Sequence, residues 1–233
     1  MPRAGSAALV ALAMWPAALS AQSTAIPSAV GRPMFYDTPD SRQRGALLLR
    51  HIGSCIHEKD PAAARQLLRS VPDSTDEKKW VGSYQSRLNY CVNGDAEALR
   101  FSTFLLRGAI AEGVYLARFP ADPAPAQALN RPDLPATWLD AYAKDPSLGA
   151  TLAMHQLAAC VVRTAPADVS RLIRAAPGSD EETAGFGAVA PHLGPCVNQG
   201  RSFSSDRTTL RALLAEALYD RFVGVDDRPA TVH

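Results

Sequence analysis

The stretch Leu47 to Asn93, LLLRHIGSCIHEKDPAAARQLLRSVPDSTDEKKWVGSYQSRLNYCVN, returns in altered form 105 residues later, from Leu152 to Asn198. Fourteen of the forty-seven aligned positions are identical, among them Cys55/Cys160, Pro61/Pro166, Arg69/Arg174, Ser74/Ser179, Glu77/Glu182 and Cys91/Cys196. Further on, at an offset of 104, Leu106-Arg107, Ala111-Glu112 and Tyr115 match Leu210-Arg211, Ala215-Glu216 and Tyr219. The chain therefore reads as an internal duplication. Residues kept in both copies are those on which a shared fold depends.

Within each copy the apolar period is helical. Leu48, Ile52, Cys55 and Ile56 fall on one face of a helix, and Leu157, Cys160 and Val161 repeat it. Asp60 can cap a second helix opened by Pro61, where the missing N–H costs nothing. The matching Pro166 has no such cap before it, only Thr164 or Ala165. Proline at 72 and 177 ends these short helices, because a residue preceding proline avoids helical backbone.

Ser74-Thr75-Asp76-Glu77 and Ser179-Asp180-Glu181-Glu182 then both fit a capping box, in which Ser accepts from a free first-turn amide and Glu reaches back. Trp80, Tyr84, Leu88 and Cys91 share a face of the third helix. Phe186, Val189, Leu193 and Cys196 do so in copy two, where Pro191 and Pro195 are expected to kink or shorten it. Asn93-Gly94 and Asn198-Gln199-Gly200 read as exit turns. A fourth helix follows Phe101-Ser102 and Phe203-Ser204, with Ser or Thr as cap. Its stripe is Leu106, Ile110 and Val114 in copy one and Leu210, Leu214 and Leu218 in copy two. Runs of alternating β-branched residues are absent. The expected class is all-α: two tandem units of about four helices each, packed together.

The four cysteines bear on the staple of each unit. Their even number fits a disulfide framework in an oxidising compartment. The repeat favours Cys55–Cys91 and Cys160–Cys196, one bridge per copy, while Cys55–Cys196 with Cys91–Cys160 also respects the symmetry and stays open. Closing such a loop is worth about 3.5–4 kcal/mol in the chain-entropy account. A unit of this size has a thin core and benefits from it.

Outward from the copies, residues 1–21 read as a secretory signal, with Arg3 before an apolar run from Ala7 to Trp15 and small residues at Ala18, Ser20 and Ala21. Residues 22–42 form a lead-in that Met34, Phe35 and Tyr36 are expected to pin. Copy one spans 43–119 and copy two 147–223. Between them, 120–146 is a proline-punctuated connector with a short helix at Ala136 to Lys144, its Trp138, Leu139 and Tyr142 at helical spacing. Residues 224–233 form a polar tail. No later stretch is apolar enough for a membrane span. The expected location is the periplasm or the exterior of a bacterial cell.

Twenty-four basic and 23 acidic side chains give a net charge of +1, and removing Arg3 brings it to about zero. No basic stripe is visible, so a nucleic-acid role is not expected. There is no C-x-x-C, no H-E-x-x-H helix, no G-x-S-x-G elbow and no phosphate-cradling glycine loop. His51 stands one turn before Cys55, but its counterpart Gln156 is a poor metal ligand. Neither a catalytic group, nor a metal, nor a cofactor is indicated.

Four retained polar pairs remain as candidates: Arg69/Arg174, Arg107/Arg211, Glu112/Glu216 and Tyr115/Tyr219. Glu112 and Tyr115, three apart, share a helical face, as do Glu216 and Tyr219. One functional reading makes the two glutamates paired carboxylates. The plainer one has each Glu paired with an Arg of its own copy and each Tyr with an exposed hydroxyl. Tyr takes the histidine place of the di-metal Glu-x-x-His motif. His155 and His192, opposite Arg50 and Arg87, read as solvated, and Trp80, Tyr84 and Tyr90 as core or pocket lining. The resulting expectation is an exported, non-enzymatic helical module that binds a protein or peptide. A hydrolase or small-ligand protein with its site between the copies is the alternative.

Overall fold

The computed structural model describes residues 39–92, 102–120, 133–197 and 203–224. Among these every regular element is helical. In the first half the helices are α1 (Pro39–Lys59), α2 (Pro61–Arg69), α3 (Thr75–Leu88) and α4 (Thr103–Arg118). A short helix α5 (Ala136–Lys144) lies between the halves. The second half holds α6 (Gly149–Thr164), α7 (Pro166–Arg174), α8 (Asp180–Cys196) and α9 (Arg207–Leu218). The chain folds as all-α, four helices to each half. The expected signal, the expected exit turns at 93–94 and 198–200, the tail beyond 224 and most of the lead-in lie outside the described residues.

Local chemistry sets the helix ends. Asp60 accepts from the Ala63 amide at 2.9 Å and opens α2, whereas Ala165 opens α7 with no side-chain cap. Ser102 caps α4. At α9 the cap is Asp206, accepting from Thr209 at 2.8 Å, rather than the earlier Ser204 that the sequence pointed to. Two further boundaries differ from expectation. Helix α1 begins at Pro39, so the end of the lead-in is already helical. Helix α8 continues through Pro191 and Pro195 to Cys196, so neither proline shortens it.

Cys55 is bonded to Cys91 and Cys160 to Cys196, each pair 36 residues apart with Cα atoms at 5.7 Å. The second bridge ties α6 to the end of α8 and the first ties α1 to the turn just after α3, and no free cysteine stands among the described residues. No described helix is long and apolar enough to cross a membrane.

Apolar side chains form two large clusters, and the halves exchange residues between them. The first gathers Ile52, Ile56, Leu67, Leu68, Trp80, Leu106 and Ile110 from the first half, yet includes Tyr219 from the second. The other gathers Leu157, Val161, Leu172, Ile173, Val189 and Leu214, yet includes Tyr115 from the first. Helices α4 and α9 cross where glycine is required. A Cβ on Gly108 would lie 2.4 Å from Cα of Ala212, its counterpart at the 104-residue offset. A third, smaller cluster docks α5, with Leu134, Trp138 and Tyr142 against Ala159.

Candidate functional site

The retained polar residues converge on the seam where α4 meets α9. Arg107 is fully buried on α4. Its Nε donates to Glu216 Oε1 at 3.0 Å, across the seam, and its Nη1 donates to Glu77 Oε1 at 3.0 Å within its own half. The same guanidinium reaches the carbonyls of Leu67, at 2.6 Å, and Leu68, at 3.3 Å. These are last-turn carbonyls of α2, a helix end that a cation suits, and the Leu67 carbonyl also accepts from the Ser70 amide at 3.0 Å.

Arg211 repeats the arrangement in reverse. Its Nε and Nη2 donate to the two oxygens of Glu112 at 3.0 and 2.8 Å, and its Nη1 donates to Glu182 at 2.8 Å. It also reaches the carbonyls of Leu172, at 3.0 Å, and Ile173, at 2.7 Å. Each arginine therefore pairs with the glutamate of the opposite copy. Glu112 also meets Arg50 of its own half at 3.2 Å, as expected, but the retained Arg107 and Arg211 each reach across, because the crossing of α4 on α9 aims each side chain at the other helix. Burial opposes the charge on Arg107, but Glu216 and Glu77 outweigh it and raise its pKa. The same contest, won by Glu112 and Glu182, raises that of Arg211.

Glu77 and Glu182 carry a second duty that the capping-box reading missed. The Ser74 and Ser179 hydroxyls accept from the amides of Glu77 and Glu182 at 3.2 and 3.1 Å, as the motif demands. The carboxylates reach back one residue further than expected, accepting from the Asp73 and Gly178 amides at 2.7 Å each. The other oxygen of each holds the buried arginine. Retention of Glu in both copies was the available signal. Burial pushes the Glu77 carboxyl above its usual range, against Arg107, which pulls it down.

The tyrosines are buried to their hydroxyls, not exposed at them as the sequence suggested. Tyr115 donates to Ser170 Oγ at 3.0 Å, deep in the second half. Arg174 lies over its ring at 6.0 Å and donates to the Phe119 carbonyl at 2.6 Å. Tyr219 sits in the first core, where burial foremost, then Asp220, push its pKa up to about 12, partly offset by Arg69. All four retained polar pairs thus act at the boundary between the halves.

The two ends of the seam differ at one position. Arg50 donates to the Ala175 carbonyl at 2.8 Å and lies 3.2 Å from Glu112. Its counterpart His155 is buried, contrary to its reading as solvated. It stands 3.7 Å from Glu216 Oε2, with no hydrogen bond to Nε2. Its ring lies 5.3 Å from that of Trp138 on α5 and 6.1 Å from that of Phe104. The Tyr142 hydroxyl, also on α5, is likewise buried without a hydrogen bond. A void of about 10 Å³ remains between His155, Trp138, Glu216 and Asp220, room for no more than a single water.

The roomy concavity lies elsewhere. A cleft of about 440 Å³ opens between the start of α5, α6 and the end of α8, lined by Leu134, Leu139, Leu157, Arg163, Pro195 and the Cys160–Cys196 bridge. Arg163 pairs with Asp133 at its edge. Neither Glu112 nor Glu216 lines it. Trp80 and Tyr84 stack at 4.6 Å inside the first core, while Tyr90 stands 83% exposed, so the three do not frame a pocket. Among the described residues no group of His, Cys, Asp and Glu could hold a metal ion. No family model matches this chain, and neither a curated protein nor a solved structure matches it.

Proposed function

We propose that the chain is an exported binding module, built by duplication of one helical unit, that takes a protein or peptide segment into the cleft between α5, α6 and α8. The observation that carries this reading is the division of labour among polar residues. Arg69/Arg174, Arg107/Arg211, Glu112/Glu216 and Tyr115/Tyr219 all act at the boundary between the halves, which leaves recognition to other residues. Apart from the Cys160–Cys196 bridge, the cleft is lined by residues the copies do not share. It lies in the size range of ligand sites, and its leucines beside the Arg163–Asp133 pair suit an amphipathic segment. The two disulfides suit the oxidising periplasm or exterior to which residues 1–21 would direct the chain.

A photo-crosslinking side chain at position 139, in the cleft, tests this in the cell of origin against the same group at exposed position 90. A discrete adduct from 139 alone supports the module. Equal adducts from both positions, or none, overturn it. Cleavage after Ala21 is checked by the mass of the exported chain.

The alternative, a hydrolase or small-ligand site at the seam, would use Glu112 and Glu216. Both are almost wholly buried, and both are held by guanidinium groups of the other half. E112Q and E216Q separate the readings: an enzyme loses turnover with stability kept, whereas a structural seam loses melting temperature.

A further inference from the structure

We propose that His155 is an acid-triggered latch: uptake of a proton by its imidazole lifts helix α5 from the seam and uncovers Trp138 and the Arg107–Glu216 pair. The first argument is the asymmetry of the seam. At the matching place in the other half, the always-charged Arg50 meets Glu112 and two backbone carbonyls. Only the second half places a titratable ring there, and only that ring is covered by an added helix.

The second argument is how α5 is held. Its buried side chains are Trp138 and Tyr142, and it packs on α6 and the turn that follows it. Trp138 lies at once against the His155 ring and under the Arg107 guanidinium, 5.3 Å from each. A proton on His155 puts a second cation beneath the same indole, next to Arg107, in a void too small to hydrate it. Releasing α5 gives that cation water.

The charged groups facing His155 are Glu216 and Asp220 from α9 and the turn after it, Arg107 from α4, Asp73 from the turn before α3 and Asp133 ahead of α5; Tyr142, on α5 itself, lies among Glu216, Arg107 and Asp73. Burial holds the imidazole below its usual range despite the pull of Glu216. A depressed histidine contributes full stability above its free pKa of about 6.5 and loses it as pH falls towards the folded value. Glu77 works in the opposite direction, because a carboxyl raised by burial favours the folded state on acidification.

Hydrogen exchange of the full chain between about pH 7.5 and 5.5, corrected for intrinsic rates, tests the latch. Protection over 136–144 is expected to fall by up to roughly tenfold per pH unit below about 6.5, the slope for one linked proton, while 103–118 keeps its own. H155Q or H155N, whichever gives native far-UV circular dichroism at neutral pH, should abolish the slope over 136–144. A wild-type chain with no slope there overturns the proposal, and so does one that loses protection equally everywhere. Persistence of the slope in a folded His155 variant overturns it too.

Discussion

Arg107 and Glu216 are 109 positions apart, yet the guanidinium Nε of one donates to the carboxylate of the other at 3.0 Å across the α4–α9 crossing. Arg211 and Glu112 form the reciprocal pair, 99 positions apart. Breaking a buried pair strands the surviving charge, which costs about 3–5 kcal/mol. R107M and R211M are therefore each expected to lower the unfolding free energy by that much, read from urea denaturation. The R107M/E216Q double variant should recover part of the loss, since it no longer leaves Glu216 alone. Strict additivity of the two single losses would show that the pair does not interact.

The capping residues separate into two grades. S74A and S179A each remove one acceptor from a helix start and should cost about 1 kcal/mol. E77A and E182A remove a cap and also a partner of a buried arginine, so they fall with the ion-pair losses of about 3 kcal/mol or more. Chemical denaturation of the four variants side by side checks the ranking. Equal losses for Ser and Glu would mean the second carboxylate oxygen is idle.

Glycines give a test in both directions. At Gly108 a methyl would meet Ala212 backbone at 2.4 Å, and at Gly53 it would meet the Ala109 carbonyl at 2.1 Å. G108A and G53A should each destabilise by about 1–3 kcal/mol or more, as overpacking does. Gly82, within α3, has nothing within 4 Å, so G82A should stabilise by up to about 1 kcal/mol through helix propensity alone. Thermal melts of the three order them.

Tyr219 supplies an alkaline signature. Its hydroxyl is held up to about 12 by burial, above the free value of 10.0. The unfolded chain ionises first, so this contribution is intact below pH 10 and is lost as pH rises towards 12. Melting temperature should drop over that interval, and less steeply in Y219F. An identical decline in both proteins would place the effect elsewhere.

What the sequence disclosed, and what it hid, follows from the range of the interactions. Caps, proline breaks and apolar faces act within a few residues, so α2, α3 and α5 could be placed from local pattern. The cysteine pairs were legible because the repeat left two symmetric pairings to choose from. The partner of Arg107 was not, since Glu112 and Glu216 occupy equivalent places and only the crossing of α4 on α9 selects between them. His155 was misread because its counterpart Arg50 is a charged residue. It is buried by α5, a helix that copy two's own pattern does not contain. Asp206 displaced Ser204 as a cap because three polar residues compete at that helix start, and only backbone geometry chooses.

The exchange of Tyr115 and Tyr219 between the two cores has a consequence for the order of assembly. A polypeptide leaves the ribosome amino end first. By the time α4 has emerged, its half still lacks the aromatic ring that completes its interior and one of the two carboxylates that hold Arg107. Both come from about a hundred residues further along the chain. Neither half has a complete interior alone, so the two are expected to settle together, when α4 and α9 cross.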